Sequence, residues 1–150
     1  MSVTAEMTEI VLPKDINSHE TLLGGQLIHW MDMTAALAAK KFTHHRVVTL
    51  AIDFLKFIEP AAVGDYVIVR ATLTHVFRTS MEIEVKCFLF HPIRQEQEKL
   101  MSQGYFIFVA LDENDSLIEL PEFMPATQLE IQKAVEAEKR RQIRLAADWA

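Results

Sequence analysis

From Gly24 to Phe42 the chain reads GGQLIHWMDMTAALAAKKF, in which Leu27, Ile28, Trp30, Met31, Met33, Leu37 and a series of alanines leave almost no polar stripe. A helix that is apolar around most of its circumference persists only where other parts of the protein enclose it. Its alanines and leucines are strong helix formers, and Lys40 and Lys41 put positive charge at the end where the helix dipole is negative. The rest of the chain therefore has to supply a wrapping for this helix.

Four runs rich in Val, Ile, Phe and Thr supply it: Arg46–Phe57, Asp65–Phe77, Ser80–Phe90 and Leu100–Leu111 read as strands. Glu59-Pro60 with Gly64-Asp65, the Arg78-Thr79 corner and the polar stretch His91–Lys99 provide the breaks. These connections are short, so neighbouring strands run antiparallel. A shorter run, Thr8–Leu12, stopped by Pro13, predicts a first strand, and Lys14–Thr21 reads as a loop. Met81, Ile83 and Val85 alternate with Glu82, Glu84 and Lys86, which predicts one dry face and one wet face. Thr127–Ala147, carrying Glu130, Lys133, Glu136, Glu138, Lys139, Arg140, Arg141 and Arg144, reads as a C-terminal helix. One apolar helix and about five antiparallel strands sharing a core predict an α+β fold, a curved sheet wrapped around the helix. A chain of 150 residues, half of them apolar, fits a single domain over 1–150, with its core at about 8–112 and a helical extension at about 127–147.

Charge and composition narrow the function. A net charge of −6 argues against a general affinity for nucleic acid or an anionic membrane. No apolar run approaches the roughly 20 residues that span a bilayer, and the start MSVTAEMTEI lacks the order of an export signal. Cys87 stands alone and cannot form an intrachain disulfide, so a reducing cytoplasm is the expected location and a quiet core thiol its expected role. The six histidines show no ligand spacing with cysteine or carboxylates, even with His29 one helical turn from Asp32, and no metal is expected. There is no G-x-S-x-G elbow, P-loop or dinucleotide fingerprint.

Chemistry concentrates between Asn17 and Asp32, in NSHETLLGGQLIHWMD. Gly24 and Gly25 at a helix start leave backbone N–H groups bare and aimed along the axis, where an oxygen gathering negative charge is stabilised. Asp32 on the same helix suits a base. Plainer readings stand beside these: close packing for the glycines, a loop or cap role for Asn17, and a structural hydrogen-bond acceptor for Asp32.

At this point the chain resembles the hotdog acyl-CoA thioesterases, in particular the cytosolic acyl-CoA hydrolase group. The resemblance covers about Leu12–Leu111 and rests on N-x6-G-G-x6-D, V-V-T-L-A-I-D-F-L-K-F-x2-P, V-G-D and R-T-S-M in that order. Phe77 departs from it, since the family usually has glycine before the R-T-S-M corner. The resemblance implies a hotdog fold and hydrolysis of an acyl-CoA thioester, with CoA as part of the substrate and no separate cofactor. It implies that Asp32 activates water or forms a mixed anhydride, that the Gly24 and Gly25 N–H groups polarise the carbonyl, and that Asn17 orients the carbonyl or the water. At ~1.5 Å per residue Asp32 lies on the order of 12 Å along the helix from Gly24, too far for both to serve one carbonyl within one subunit. The minimal active unit is therefore expected to be a homodimer, with a trimer of dimers as the larger form.

Arg78, Thr79 and Ser80 suit the phosphates or pantetheine arm of CoA, with a solvated turn as the alternative. Thr49 and Asp53 fall on one strand face at period two, near the site or in plain strand packing. The basic run Lys139–Arg144 reads as a solvated helix face paired with Glu136 and Glu138, or as a neighbour of CoA phosphate. A non-catalytic acyl-CoA binding or sensing module on the same scaffold is the alternative function, and a hotdog dehydratase a thinner third.

Overall fold

The computed structural model describes residues 2–94 and 96–147. Strand β1 (Thr4–Ile10) leads through a 3-10 turn (Pro13–Asp15) to helix α1 (Gly24–Thr43). Strands β2 (Arg46–Phe57), β3 (Tyr66–Val76), β4 (Ser80–Phe90) and β5 (Lys99–Leu111) follow, then helix α2 (Gln128–Ala146). The strands form one antiparallel sheet in the order β1-β3-β4-β5-β2, so β2 is an edge.

Helix α1 buries Leu27, Trp30, Met31, Thr34, Ala35, Ala38 and Ala39 against the sheet, a stripe at the helical period. Burying Leu27 or Met31 contributes roughly 1.5–3 kcal/mol each, and the alanines let the helix lie close to the strands. Thr43 Oγ1 donates to Ala39 O, and His44 closes the helix in the left-handed conformation (φ 56°) with its N–H on Lys40 O. The expectation of a helix enclosed on all sides fails in the single chain. Met33 and Leu37 are 38% and 42% exposed, because a single sheet covers only one side of α1.

Two further readings change. The first strand is Thr4–Ile10 rather than Thr8–Leu12, since its backbone finds partners along β3 from Thr72 to Tyr66. The face of β4 expected to be wet is covered. Glu82 is fully buried and Glu84 nearly so, beneath α2. The dry face is as expected, with Met81, Ile83, Val85 and Cys87 in the core. Burial pushes the Cys87 thiol up to about 12, which keeps it protonated and inert.

Strand β2 is bulged twice, between Thr49 and Ala51 and between Asp53 and Lys56, where Phe54 has φ 51°. Opposite the second bulge, a Cβ on Gly104 would lie 3.0 Å from Leu55 Cδ1, a tight approach that any larger residue there would have to relieve by shifting the Leu55 side chain. No helix among the described residues is long and apolar enough to cross a membrane.

Candidate active site

Asp32 sits midway along α1, half-buried, and its Oδ1 accepts a hydrogen bond from Thr49 Oγ1 at 2.5 Å. The first bulge of β2 follows directly after Thr49. It breaks the period-two phase, so Thr49 faces α1 while Asp53 faces the opposite side, where its Oδ2 takes Arg144 Nη1 at 2.5 Å. Thr49 and Asp53 therefore do not share a face, contrary to expectation. Met33 and Leu37 on the same helix are exposed, and so are Val48, Leu50 and Ile52 along the edge strand β2.

Eight residues upstream, α1 begins without a side-chain cap. Leu23 N–H donates to Asp15 O, and the first N–H with a helical acceptor is that of Leu27, on Leu23 O. The N–H groups of Gly24, Gly25 and Gln26 have no partner among the described residues. A Cβ on Gly24 would touch the Phe57 ring at 3.5 Å, whereas one on Gly25 would meet nothing within 4 Å. The first is an ordinary van der Waals contact and the second open space, so packing within the chain requires glycine at neither position. A groove of about 380 Å³ opens here, between Thr21, Leu22, Gly24 and Leu27 on one side and Phe57–Ala61 and Met101 on the other.

Asn17 stands in the loop beside this groove and holds the loop's own shape. Its Oδ1 accepts from His19 N–H (2.9 Å) and Thr21 N–H (3.2 Å), and its backbone N–H donates to Thr21 O. Arg78, Thr79 and Ser80 lie elsewhere. Phe77 N–H donates to Ser80 O across a tight turn, and Arg78 reaches Glu119 at 3.2 Å with both side chains about three-quarters exposed, an ion pair of little energetic weight. Ser80 pairs with Val109, which pairs with Val48, so this corner lies by the start of β2, while Gly24 lies by Phe57 at its end. One chain thus keeps apart the Asp32–Thr49 pair, the Asn17–Gly25 end and the Arg78–Ser80 corner.

In the basic run of α2, Lys139 is exposed as a solvated face would have it, whereas Arg140, Arg141 and Arg144 are docked on the sheet side. Arg140 makes a bidentate pair with Glu82 (2.8 and 3.0 Å) and lies 3.8 Å over the Tyr105 ring, and Lys133 takes Glu84 at 2.8 Å. Burial first, and then Glu84, pushes the Tyr105 phenol up. Arg141 lies 4.8 Å over Phe77, whose ring is edge-on to His75, so the residue that departs from the family pattern joins the corner to α2. Among the described residues no three His, Cys, Asp or Glu side chains gather to hold a metal.

With this geometry in hand, comparison with known proteins is specific. The thioesterase superfamily matches residues 19–90. An uncharacterised acyl-CoA thioester hydrolase of Bacillus subtilis, YkhA, is 35% identical over 124 residues, covering 83% of this chain and 72% of that protein. The chain belongs to the hotdog acyl-CoA thioesterase family. An apo-hexameric acyl-CoA thioesterase of this family superposes with a TM-score of 0.88 at 31% identity, over 97% of this chain and 95% of that one. The acyl-CoA hydrolase of Staphylococcus aureus, in complex with butyryl coenzyme A, coenzyme A and coenzyme A disulfide, gives 0.87 at 28%, over 96% and 87%. That family member is also known as alanine mutants of an aspartate, an asparagine and a threonine. The acetyl-coenzyme A thioesterase of Rattus norvegicus is 29% identical over 97% of this chain, which spans about a quarter (26%) of its length.

Sequence reading missed one buried group at the site, Asp15. It is 2% exposed, and its carboxylate accepts from Leu12 N–H and Gln26 Nε2. The available signal was its place, just after Pro13 and two residues before Asn17, where a short acidic side chain suits a capped turn.

Proposed function

We propose that the chain hydrolyses acyl-CoA to free CoA and a carboxylic acid, in a site shared between two copies. The observation that carries this is the pairing of Asp32 with Thr49, on the same helix whose first N–H groups are bare. Asp32 serves as general base for water or as nucleophile, oriented by the Thr49 hydroxyl. The Gly24 and Gly25 N–H groups stabilise the oxyanion, a donor of this kind being worth ~3 kcal/mol. Asn17 orients the carbonyl or the water. A thiolate leaves readily, so no acid is needed on the leaving side, and CoA enters as substrate and departs as product with no further cofactor.

The two ends of this machinery stand on the order of 12 Å apart along α1, beyond the ~3 Å within which attack and polarisation must meet. A second copy resolves this: its N-terminal loop faces Asp32 of the first across the exposed edge of β2, where Val48, Leu50, Ile52 and Phe54 are bare. The open space beside Gly25 supports the same reading. So does the Staphylococcus aureus enzyme, whose mutated asparagine, aspartate and threonine fall in the order and at the separations of Asn17, Asp32 and Thr49. The dimer is the minimal active unit and a trimer of dimers the fuller assembly. Arg78, Thr79 and Ser80 hold the CoA end, with phosphate displacing Glu119 from Arg78.

The test is release of free CoA from short, medium and long acyl-CoA, followed by complementation. Mixed oligomers of folded Asp32→Ala and Asn17→Ala chains are expected to recover activity that neither has alone. Recovery of none would sink the shared site, and binding of acyl-CoA without turnover by the natural chain would make it a binding module.

A further inference from the structure

Asp15 is a buried carboxylate that the mechanism above does not use. Carboxylates are almost never fully buried unless paired, and this one has no basic side chain against it among the described residues. Amide donors hold it instead. Oδ2 accepts from Leu12 N–H at 2.9 Å, and Oδ1 accepts from Gln26 Nε2 at 2.8 Å. Its backbone continues the pattern: Asp15 N–H donates to Leu12 O, and Asp15 O accepts from Leu23 N–H, both at 2.9 Å. One residue is thus bonded to Leu12 just past β1, to the residue just before Gly24, and to the first turn of α1.

Between those points the chain forms a narrow loop. Ile16 and Leu22 make an antiparallel bridge, Asn17 and Thr21 close it, and Glu20 at the tip has φ 62°. Asn17 rides on this loop, and the loop has no other side-chain hydrogen bond to α1 among the described residues. We propose that Asp15 is a positioning residue. Its carboxylate locks the Asn17 loop to the first turn of α1, fixing the bare N–H groups of Gly24 and Gly25 relative to the Asn17 amide. This rests on the hydrolase reading, under which those groups act on one substrate. A misplacement of about 1 Å in such a set costs on the order of 100-fold in rate, so a rigid tie at the base of the loop acts directly on turnover.

The experiment compares Asp15→Ala with Asp15→Asn by steady-state kinetics and backbone hydrogen exchange. Alanine removes both acceptors. Asparagine keeps an oxygen for Leu12 N–H and, with the Gln26 amide turned over, a hydrogen bond to Gln26. Asp15→Ala is expected to lose about 10- to 100-fold in kcat with KM little changed, and Asp15→Asn to recover most of that loss. Exchange in Asp15→Ala should speed up at residues 12–26 and not in β3 and β4. A folded Asp15→Ala with natural kcat overturns the proposal. So does an Asp15→Asn as impaired as alanine, since charge rather than hydrogen bonding would then be at work.

If Asp15→Ala does not fold, Gln26→Ala removes only the tie to α1. It is expected to lower kcat at constant KM, and an unchanged kcat overturns the proposal. A natural chain that turns over no acyl-CoA refutes the hydrolase reading instead. Exchange then decides alone, read at the bonded amides of Leu23 and Leu27: faster exchange there in whichever variant folds sustains the tie, and unchanged exchange refutes it.

Discussion

On the α2 side of the sheet, Glu82 meets Arg140, Glu84 meets Lys133 and Asp53 meets Arg144. On the α1 side, Asp32 meets only a neutral hydroxyl, and three N–H groups at the helix start meet nothing among the described residues. The first pattern neutralises charge that a docking helix covers. The second leaves hydrogen-bonding capacity facing a groove and an open surface. Both sides carry buried or half-buried polar groups, so their number does not mark a site. Unmet capacity does.

That contrast can be broken by mutation. Asp32→Ala is expected to lower CoA release on the order of 100- to 10,000-fold, the usual share of a positioned base, while thermal unfolding stays near that of the natural chain. Survival of turnover within tenfold would erase the distinction between the faces. On the other face, Arg140→Ala leaves Glu82 as an uncompensated buried charge and should cost about 3–5 kcal/mol of stability, with activity per folded molecule unchanged. Denaturant titration reads this, and Glu82→Leu with Arg140→Met should regain most of it. Thr49→Val removes a hydroxyl bond to a carboxylate worth ~1.5–3 kcal/mol, which predicts a kcat loss of about 10- to 100-fold.

The smallest effects belong to the start of α2, where Thr127 Oγ1 accepts from Glu130 N–H. Thr127→Ala should cost about 1 kcal/mol without touching catalysis. Ala126 N–H, and then Ser2, hold the Glu130 carboxyl below the usual glutamate range. A folded-state value below the unfolded one gives stabilisation that is complete above the ordinary glutamate range and lost as pH falls through the folded value. Protection of the amides in the first turn of α2, measured against the intrinsic exchange rate at each pH, should therefore fall in acid, and Glu130→Gln should flatten that dependence.

Much of this was legible in the chain. Helix α1 was read to within one residue at its end, because its apolar content and opening glycines are local signals. β2 was bounded exactly as read from its composition, and β3, β4 and β5 to within a residue at each end. β1 was misplaced, since TAEMTEI carries charges that a strand at a sheet edge tolerates and a composition rule does not expect. Period-two reading failed wherever distant sequence intervened. Nothing near Glu82 announces that a helix some 50 residues later will cover it, and nothing in VTLAID announces the bulge that turns Thr49 and Asp53 to opposite faces. Asp32, Asn17 and the glycines stood out through their spacing. Asp15 did not, because its role rests on contacts with Leu12, Leu23 and Gln26 that only the folded loop makes.

The bare helix start and Asp32, held on the order of 12 Å apart on one rigid α1, bear on how activity depends on dose. Under the proposed sharing, a solitary chain holds half of each of two sites and completes neither. Initial rate then climbs with the square of chain concentration while dimers are scarce, and linearly once they predominate. A newly made copy stays silent until it meets another, so abundance sets both how much hydrolysis occurs and the threshold below which there is almost none.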